Sequence, residues 1–385
     1  MKKKKLRSVI YILGLLFTFS ASLPGYINSS FMGQFLDEKN IGILYTIGSI
    51  LAIICLTFTP KLLRKIGNYQ MIIGLSLINI ISLIILAFNK NTYILIPTFI
   101  IYLALYSIIY LNSDILLENQ SSDSNTGNIR GLYLSISNIA WVASPFIVGL
   151  LLTNGDYWKV YGLASLAIFP FIILMSIFFR KFKDPIYMDT PFLKTFKKLK
   201  RQKNIYRIFI VRTFLQLFYS WMVIYTPIYL HKYIGLDWKI IGTIFSIMLL
   251  PFLLFQIPLG ILADKRFGEK EILNSGLILI AITTSILSFV SPNSTWWTWA
   301  IILFLTRTGA STVEIMTESY FFKKVDEKDA DIISFFRMAR PIAYVFGPAL
   351  ASLTIFLVSF QYIFLVLGVI MLLSLRYSLA IKDTR

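Results

Sequence analysis

Pro258-Leu-Gly260-Ile-Leu-Ala-Asp264-Lys265-Arg266-Phe-Gly268-Glu-Lys270-Glu-Ile-Leu273 lies between one long apolar run that ends near Ala263 and another that begins near Glu271. Apolar runs of that length read as membrane-spanning helices, so the stretch between them reads as a short hairpin on the cytoplasmic face. Gly260 is expected to let two helices approach closely, Asp264 to cap and charge-pair at the turn, and Gly268 to permit the reversal. Lys265, Arg266 and Lys270 hold such a loop on the inner face. A weaker copy, Pro60-Lys-Leu-Leu-Arg64-Lys65-Ile-Gly67, stands in the first half of the chain.

Composition agrees with a membrane setting. Of 385 residues, 57% are hydrophobic and 15% charged, whereas ordinary soluble domains carry about 25% charged residues. Apolar runs near twenty residues long can be placed at 9–33, 41–60, 69–89, 93–117, 130–153 and 158–179, and again at 207–231, 239–263, 271–291, 296–322, 332–358 and 360–380. The expectation is an all-α membrane protein of twelve transmembrane helices in two six-helix bundles.

The net charge of +18 does not point to nucleic acid, because most of the basic residues fall on one side. They occupy the N-terminal tail (Lys2 to Lys5, Arg7), alternate loops, the central linker and the C-terminal tail, while the other side has Lys39, Lys90, Lys159, Lys232 and Lys239. This positive-inside pattern puts both termini in the cytoplasm and the basic face against anionic lipid of the cytoplasmic membrane. Lys2–Arg7 before an apolar run, with Ser20-Ala-Ser22 after it, imitates a secretory signal. Cleavage there would leave five helices facing six, and is rejected. The lone Cys55 excludes an intramolecular disulfide framework.

The two halves align. Lys39-Asn-Ile-Gly42 falls on Lys239-Ile-Ile-Gly242, Asp114-Ile-Leu-Leu-Glu118 on Glu314-Ile-Met-Thr-Glu318, and, after a small slip, Ser144-Pro145 on Gly347-Pro348. A duplicated six-helix unit follows, with an N-terminal bundle at 1–180, a basic cytoplasmic linker at 181–205 and a C-terminal bundle at 206–385. Within the linker, Phe192-Leu-Lys-Thr-Phe-Lys-Lys-Leu-Lys200 has the spacing of a short interfacial helix.

The loop at 260–270 resembles the signature of the major facilitator superfamily, G-x-x-x-D-[RK]-x-G-[RK]-[RK], with one extra residue before the second Gly and Glu269 in place of a basic residue. The resemblance extends over the whole chain through the duplication. It implies a secondary transporter that works by alternating access around a site between the bundles. It also implies that acid–base clusters brace the closed inner gate together with the loop aspartate, here Asp264 beside Arg266.

Ionisable groups inside spans cost about 2.5 to 3.5 kcal/mol each, so each needs a partner or a function. Arg307, Ser311, Glu314 and Glu318 step by helical spacing along one stripe of the tenth span. Arg307 lies roughly 16 Å from the outer end, and Glu314 and Glu318 roughly 12 and 6 Å from the inner end. Arg337 and Arg340 enter the eleventh span to a matching depth, which pairs them with the two glutamates. The duplication pairs Asp114 and Glu118 with Arg130. Arg307 has no acid one turn away, and two roles stay open for it: binding an anionic or hydrogen-bond-accepting part of the substrate, or an internal tie to Glu314 or to a helix carbonyl.

Further cavity candidates are Gln216 and Tyr219 in the seventh span, Asn138 in the fifth, and Tyr26 and Asn28 just beyond Pro24 in the first. Arg212 is expected to snorkel to the interface, and Trp296, Trp297 and Trp299 to form an outer belt. With one His and one Cys, no zinc site of the usual type assembles, and no phosphate-binding loop for ATP is found. The expected function is transport of a small polar or anionic solute by a monomer that needs no cofactor, with protons as a candidate coupling ion. The alternatives are a multidrug exporter of the same superfamily and a transporter-like sensor that binds without flux. No enzyme activity is expected.

Overall fold

The computed structural model describes residues 2–120, 126–152, 155–184, 192–263, 268–324, 335–336 and 338–382. Asp264, Arg266 and Arg337 lie outside the described residues, as do the side chains of Asp114, Glu118 and Arg130. Among the described residues the regular structure is helical, as it must be where no water is present to satisfy backbone N–H and C=O groups. Among the described residues eleven helices are long and apolar enough to cross a membrane. Ser135–Leu151, within the helix Thr126–Leu151, is a shorter apolar helical stretch.

The chain divides into two compact units whose boundaries are not contiguous in sequence. The first comprises 1–36, 47–189 and 237–242; the second comprises 37–46, 190–236 and 243–385.

The first unit is built from α1 (Lys2–Gly25), α2 (Asn28–Met32), most of α3 (Glu38–Ile66), α4 (Asn68–Phe88), α5 (Thr92–Gln120), α6 (Thr126–Leu151) and α7 (Tyr157–Phe179). The expected first span is broken into α1 and α2 at Tyr26-Ile27, two residues after Pro24. Helix α1 packs on α5, α6 and α7, and α4 packs on α5 and α7. Its interior is apolar, with Phe17, Ile109, Tyr133, Ile168 and Met175 in one cluster. Serines tie the helices where hydrocarbon offers no other partner: Ser20 donates to the Ala164 carbonyl at 2.7 Å, and the Ser22 and Ser144 hydroxyls lie 2.6 Å apart.

The second unit contains the start of α3, α8 (Phe192–Arg201), α9 (Lys203–Ile228), the latter part of α10 (Trp238–Leu249), α11 (Pro251–Leu254), α12 (Gln256–Leu262), α13 (Glu269–Ile286), α14 (Trp296–Lys324), α15 (Ala339–Leu357) and α16 (Ile363–Ser378). The expected span 239–263 is interrupted at Leu250 and Phe255, and Pro251 opens the middle piece. Helix α9 packs on α14, α15 and α16, and α13 packs on α14 and α16. The amphipathic α8 turns its apolar side onto the unit: Leu199 is fully buried, and Phe196 meets the rings of Tyr206 and Phe335. Trp299, expected in the outer belt, is instead buried against Tyr229, while Trp297 is exposed.

Glycines set the closest helix approaches. Gly268 has φ 75° and Gly67 has φ 77°, a left-handed turn that precedes α13 and α4 respectively. Among the described residues a Cβ on Gly260, expected at a close approach, would meet Ile315 Cγ1 at 3.9 Å, an ordinary contact. The close approach of α13 and α14 lies instead at Gly276 and Gly309. A Cβ on Gly309 would stand 2.8 Å from the Gly276 carbonyl and 2.9 Å from the Ile280 nitrogen, both backbone atoms that cannot swing aside. Gly309→Ala should therefore separate the two helices and destabilise the protein by about 1–3 kcal/mol. The expected outcome is a lower melting temperature in detergent, with Gly260→Ala melting as the native protein does.

Candidate functional site

Helix α9 carries Arg212, Gln216, Phe218 and Tyr219 across two turns, and the facing helix α14 carries Arg307, Ser311, Glu314 and Glu318. Both helices belong to the second unit. Arg212 Nη2 lies 3.1 Å from Glu314 Oε1 and 3.1 Å from Glu318 Oε1, so one guanidinium nitrogen holds two carboxylates one turn apart. The side chains are 14%, 24% and 32% exposed respectively. The Phe336 ring covers the Arg212 guanidinium at 5.9 Å.

This pairing corrects the one drawn from depth. Among the described residues Glu314 and Glu318 pair with Arg212 and not with Arg340, whose guanidinium sits over the Tyr344 ring at 5.6 Å; Arg337, the other expected partner, lies outside the described residues. Depth along the membrane normal does not distinguish two helices that enter from the same side. What decides is adjacency, and α9 packs on α14. Arg212 does not snorkel to the interface, because two carboxylates within 4 Å make the interior the better place for it.

Arg307 is the fully buried arginine of this pair of helices. It is 1% exposed, and its Nε and Nη2 have no hydrogen-bond partner among the described residues. The rings of Phe218 and Tyr219 lie against its guanidinium, with Cζ 5.1 and 5.4 Å from their centroids. Arg307 thus has aromatic faces beside it and, among the described residues, no carboxylate on it. Glu314 is committed elsewhere: besides Arg212, it accepts from the Tyr219 hydroxyl, Oη to Oε2 at 3.4 Å. Tyr219 therefore touches both halves of the constellation, its ring beside Arg307 and its hydroxyl on Glu314. Phe252, from α11, packs on the same ring at 6.3 Å.

The remaining candidates divide between the units. Gln216 is buried on α9 one turn from Arg212. In the first unit, Asn28 is buried and accepts a hydrogen bond from the Tyr161 hydroxyl at 2.8 Å, which makes its amide a tie between α2 and α7. Tyr26 meets Trp141 edge to face at 6.2 Å. Asn138 on α6 is partly exposed, with no side-chain hydrogen bond among the described residues. No group of three or more His, Cys, Asp or Glu suited to a metal ion occurs among the described residues.

Sequence reasoning missed one charged group. Glu269, noted only as a departure from the loop signature, is fully buried in the first turn of α13. It holds Lys323 at 2.6 Å and accepts from the Ser319 hydroxyl at 3.1 Å, both on α14. The helix N-terminus favours a negative charge at that point. In the first unit, Asp184 caps the corresponding turn by accepting from the Asn68 backbone at 2.8 Å.

The Major Facilitator Superfamily model matches residues 10–249 and 239–383. The chain belongs to the major facilitator superfamily, and with its apolar helices it is a multi-pass membrane transporter rather than an enzyme. Among solved structures it is similar to a single-substitution mutant of the nucleoside transporter NupG, at 14% identity and a TM-score of 0.78, over 97% of this chain and 99% of that one. At that identity the likeness is one of fold. No curated protein sequence matches.

Removing Arg212 would leave two partly buried carboxylates without a counter-charge, a loss of about 3–5 kcal/mol for a buried pair and less here because both acids are part-exposed. Arg212→Gln is expected to lower the melting temperature, and adding Glu314→Gln and Glu318→Gln should restore part of it. A triple variant no more stable than Arg212→Gln alone would remove the pairing from the account.

Proposed function

We propose that the chain is a secondary transporter that moves a small polar or anionic solute across the cytoplasmic membrane by alternating access, with both termini in the cytoplasm and twelve spans in two six-helix bundles. The observation that carries this reading is the state of Arg307. A charged side chain buried in a membrane protein is retained for a partner or a function, and the acids nearest in sequence on α14 are held by Arg212. Arg307 keeps two open donors beside aromatic rings. It is the group best placed to receive a hydrogen-bond-accepting part of a solute, with Gln216 and Tyr219 on the facing helix of the same unit; Asn138, Tyr26 and Asn28 are the first unit's own cavity candidates.

The reading also assigns a role to the charge cluster. Arg212, Glu314 and Glu318 brace α9 against α14, as do Glu269 and Lys323 for α13 and α14, and a gate can close against braced helices. Asp264, Arg266, Arg337, Arg340 and the first-half group Asp114, Glu118 and Arg130 complete the proposed gating set. Glu314, Glu318, Asp114 and Glu118 are the candidate carboxylates to carry a proton if protons drive the cycle. The nucleoside carried by the structural neighbour is one polar solute of suitable size, and belongs in any panel of substrates. A lipophilic cation would meet the uncompensated charge of Arg307, which counts against drug export.

Counterflow of labelled solutes in liposomes reports transport in either direction. The native protein is expected to exchange at least one polar or anionic solute, and Arg307→Ala, recovered as a folded monomer, is expected to lose that exchange by about tenfold or more, as for a hydrogen bond to a charged group. A variant that melts lower yet exchanges at the native rate would make Arg307 an internal brace and end this reading.

A further inference from the structure

The unpartnered atoms of Arg307 are Nε and Nη2. These two nitrogens share one edge of the guanidinium and present parallel N–H bonds, the fork that takes two oxygens of a single group. Resting on the reading of Arg307 as the solute site, the geometry points to a solute class: a monocarboxylate with an apolar or aromatic body, its carboxylate held side-on by Nε and Nη2.

Three observations support the choice. The first is the fork, since a lone amide or ketone oxygen would satisfy one donor and leave the other orphaned in a buried site, which costs binding. The second is charge. On the two facing helices Glu314 and Glu318 are both held by Arg212, so Arg307 lacks one negative charge, not two. A carboxylate supplies one, whereas a phosphate monoester carries roughly −1.5 to −2 at neutral pH. The third is the surroundings. Phe218 and Tyr219 lie beside the guanidinium, Phe252 packs on Tyr219, and Phe304, one turn before Arg307, meets Phe255 edge to face at 6.2 Å. A solute body in contact with these rings gains by being apolar.

Tyr219 adds a consequence. Its ring lies 5.4 Å from Arg307 Cζ and its hydroxyl is bonded to Glu314. A carboxylate arriving on Arg307 therefore lies within one side chain of the carboxylate already on Arg212, and Tyr219 positions the two apart.

One neutral group offers the same two-acceptor edge: guanine, through O6 and N7. The test therefore uses four probes on the purified full-length protein: benzoate, its uncharged isostere benzamide, phenyl phosphate and guanosine. Thermal stabilisation is titrated for the native protein, Arg307→Gln, which removes charge and fork, and Arg307→Lys, which keeps the charge. Benzoate is expected to stabilise the native protein at concentrations about tenfold or more below those of the other three probes. Its apparent affinity should fall about 10- to 100-fold in Arg307→Gln and by an intermediate factor in Arg307→Lys. If either variant fails to fold, the ranking of the four probes on the native protein decides alone. Benzamide or phenyl phosphate equal to benzoate would overturn the class. Guanosine ahead of benzoate, and lost in Arg307→Gln, would overturn the carboxylate while leaving Arg307 as the solute site. Benzoate bound equally by native and Arg307→Gln proteins would overturn both this inference and the reading on which it rests. No stabilisation of the native protein by benzoate, at concentrations where counterflow of another solute proceeds, would overturn the inference alone.

Discussion

Two carboxylates on one arginine nitrogen is the interaction on which the interior of the second unit turns. Arg212 draws Glu314 and Glu318 toward α9 and so fixes how α14 is rotated about its own axis. The rotation has an effect two turns away. With that stripe of α14 facing α9, Arg307 is carried to the same side and meets Phe218 and Tyr219 rather than lipid. Had the glutamates instead been drawn to α15, the same helix would have presented a different edge to α9, and Arg307 would lose its aromatic neighbours. The pairing explains both the order of the lower half of α14 and the openness of the arginine above it.

Close packing makes this charge arrangement sustainable. Hydrocarbon offers no hydrophobic gain for one helix meeting another, so helices in a membrane associate by packing and by polar ties. In the second unit Gly309 and Gly276 bring the backbones of α13 and α14 together where a methyl group would not fit. Glu269 and Ser319 then close the end of the same pair. Helix α14 is thus held along one side by backbone contact and along another by the Arg212 clamp. Gly42 and Gly242, which the alignment of the two halves of the sequence sets in register, are both crowded: a Cβ on Gly42 would stand 2.6 Å from the Pro348 carbonyl within the second unit, and one on Gly242 would meet the Pro145 carbonyl within the first.

How much of this was legible in the sequence depends on the range over which each signal acts. Apolar length, the basic loops and the turn glycines Gly67 and Gly268 are local, and the helices, their membrane character and the family follow from them. The stripe Arg307, Ser311, Glu314, Glu318 is also local, being a matter of helical spacing. Which arginine the glutamates would find is not local. Arg212 lies on a helix far back in the chain, and depth alone assigned the glutamates to Arg337 and Arg340. Gly260 misled for a similar reason: its place in a family signature says that a small residue is wanted, but only the packing of a particular neighbour says whether anything approaches it. Glu269 was passed over because a carboxylate at a loop edge reads as solvated until Lys323 and Ser319 are seen closing over it.

The asymmetry between Arg212 and Arg307 is what gives the second unit a chemistry. An ion pair buried in protein is weak support for stability, because desolvation offsets much of its attraction. It is nonetheless a good device for specificity, since it settles which charges are satisfied and which are not. Here two acids and two arginines would balance if shared one to one, yet Arg212 holds both acids and Arg307 holds neither. The part-exposed acids Glu314 and Glu318 sit where water can still moderate their surplus negative charge, although Arg212 Nη1 is itself buried without a hydrogen-bond partner among the described residues. Fully buried Arg307 sits where water moderates its charge least. A one-to-one sharing would have been better bracing and would have left no acid-free arginine. The uneven sharing weakens the bracing slightly and leaves an oriented pair of donors unpartnered beside aromatic rings, the feature on which the proposed solute site rests.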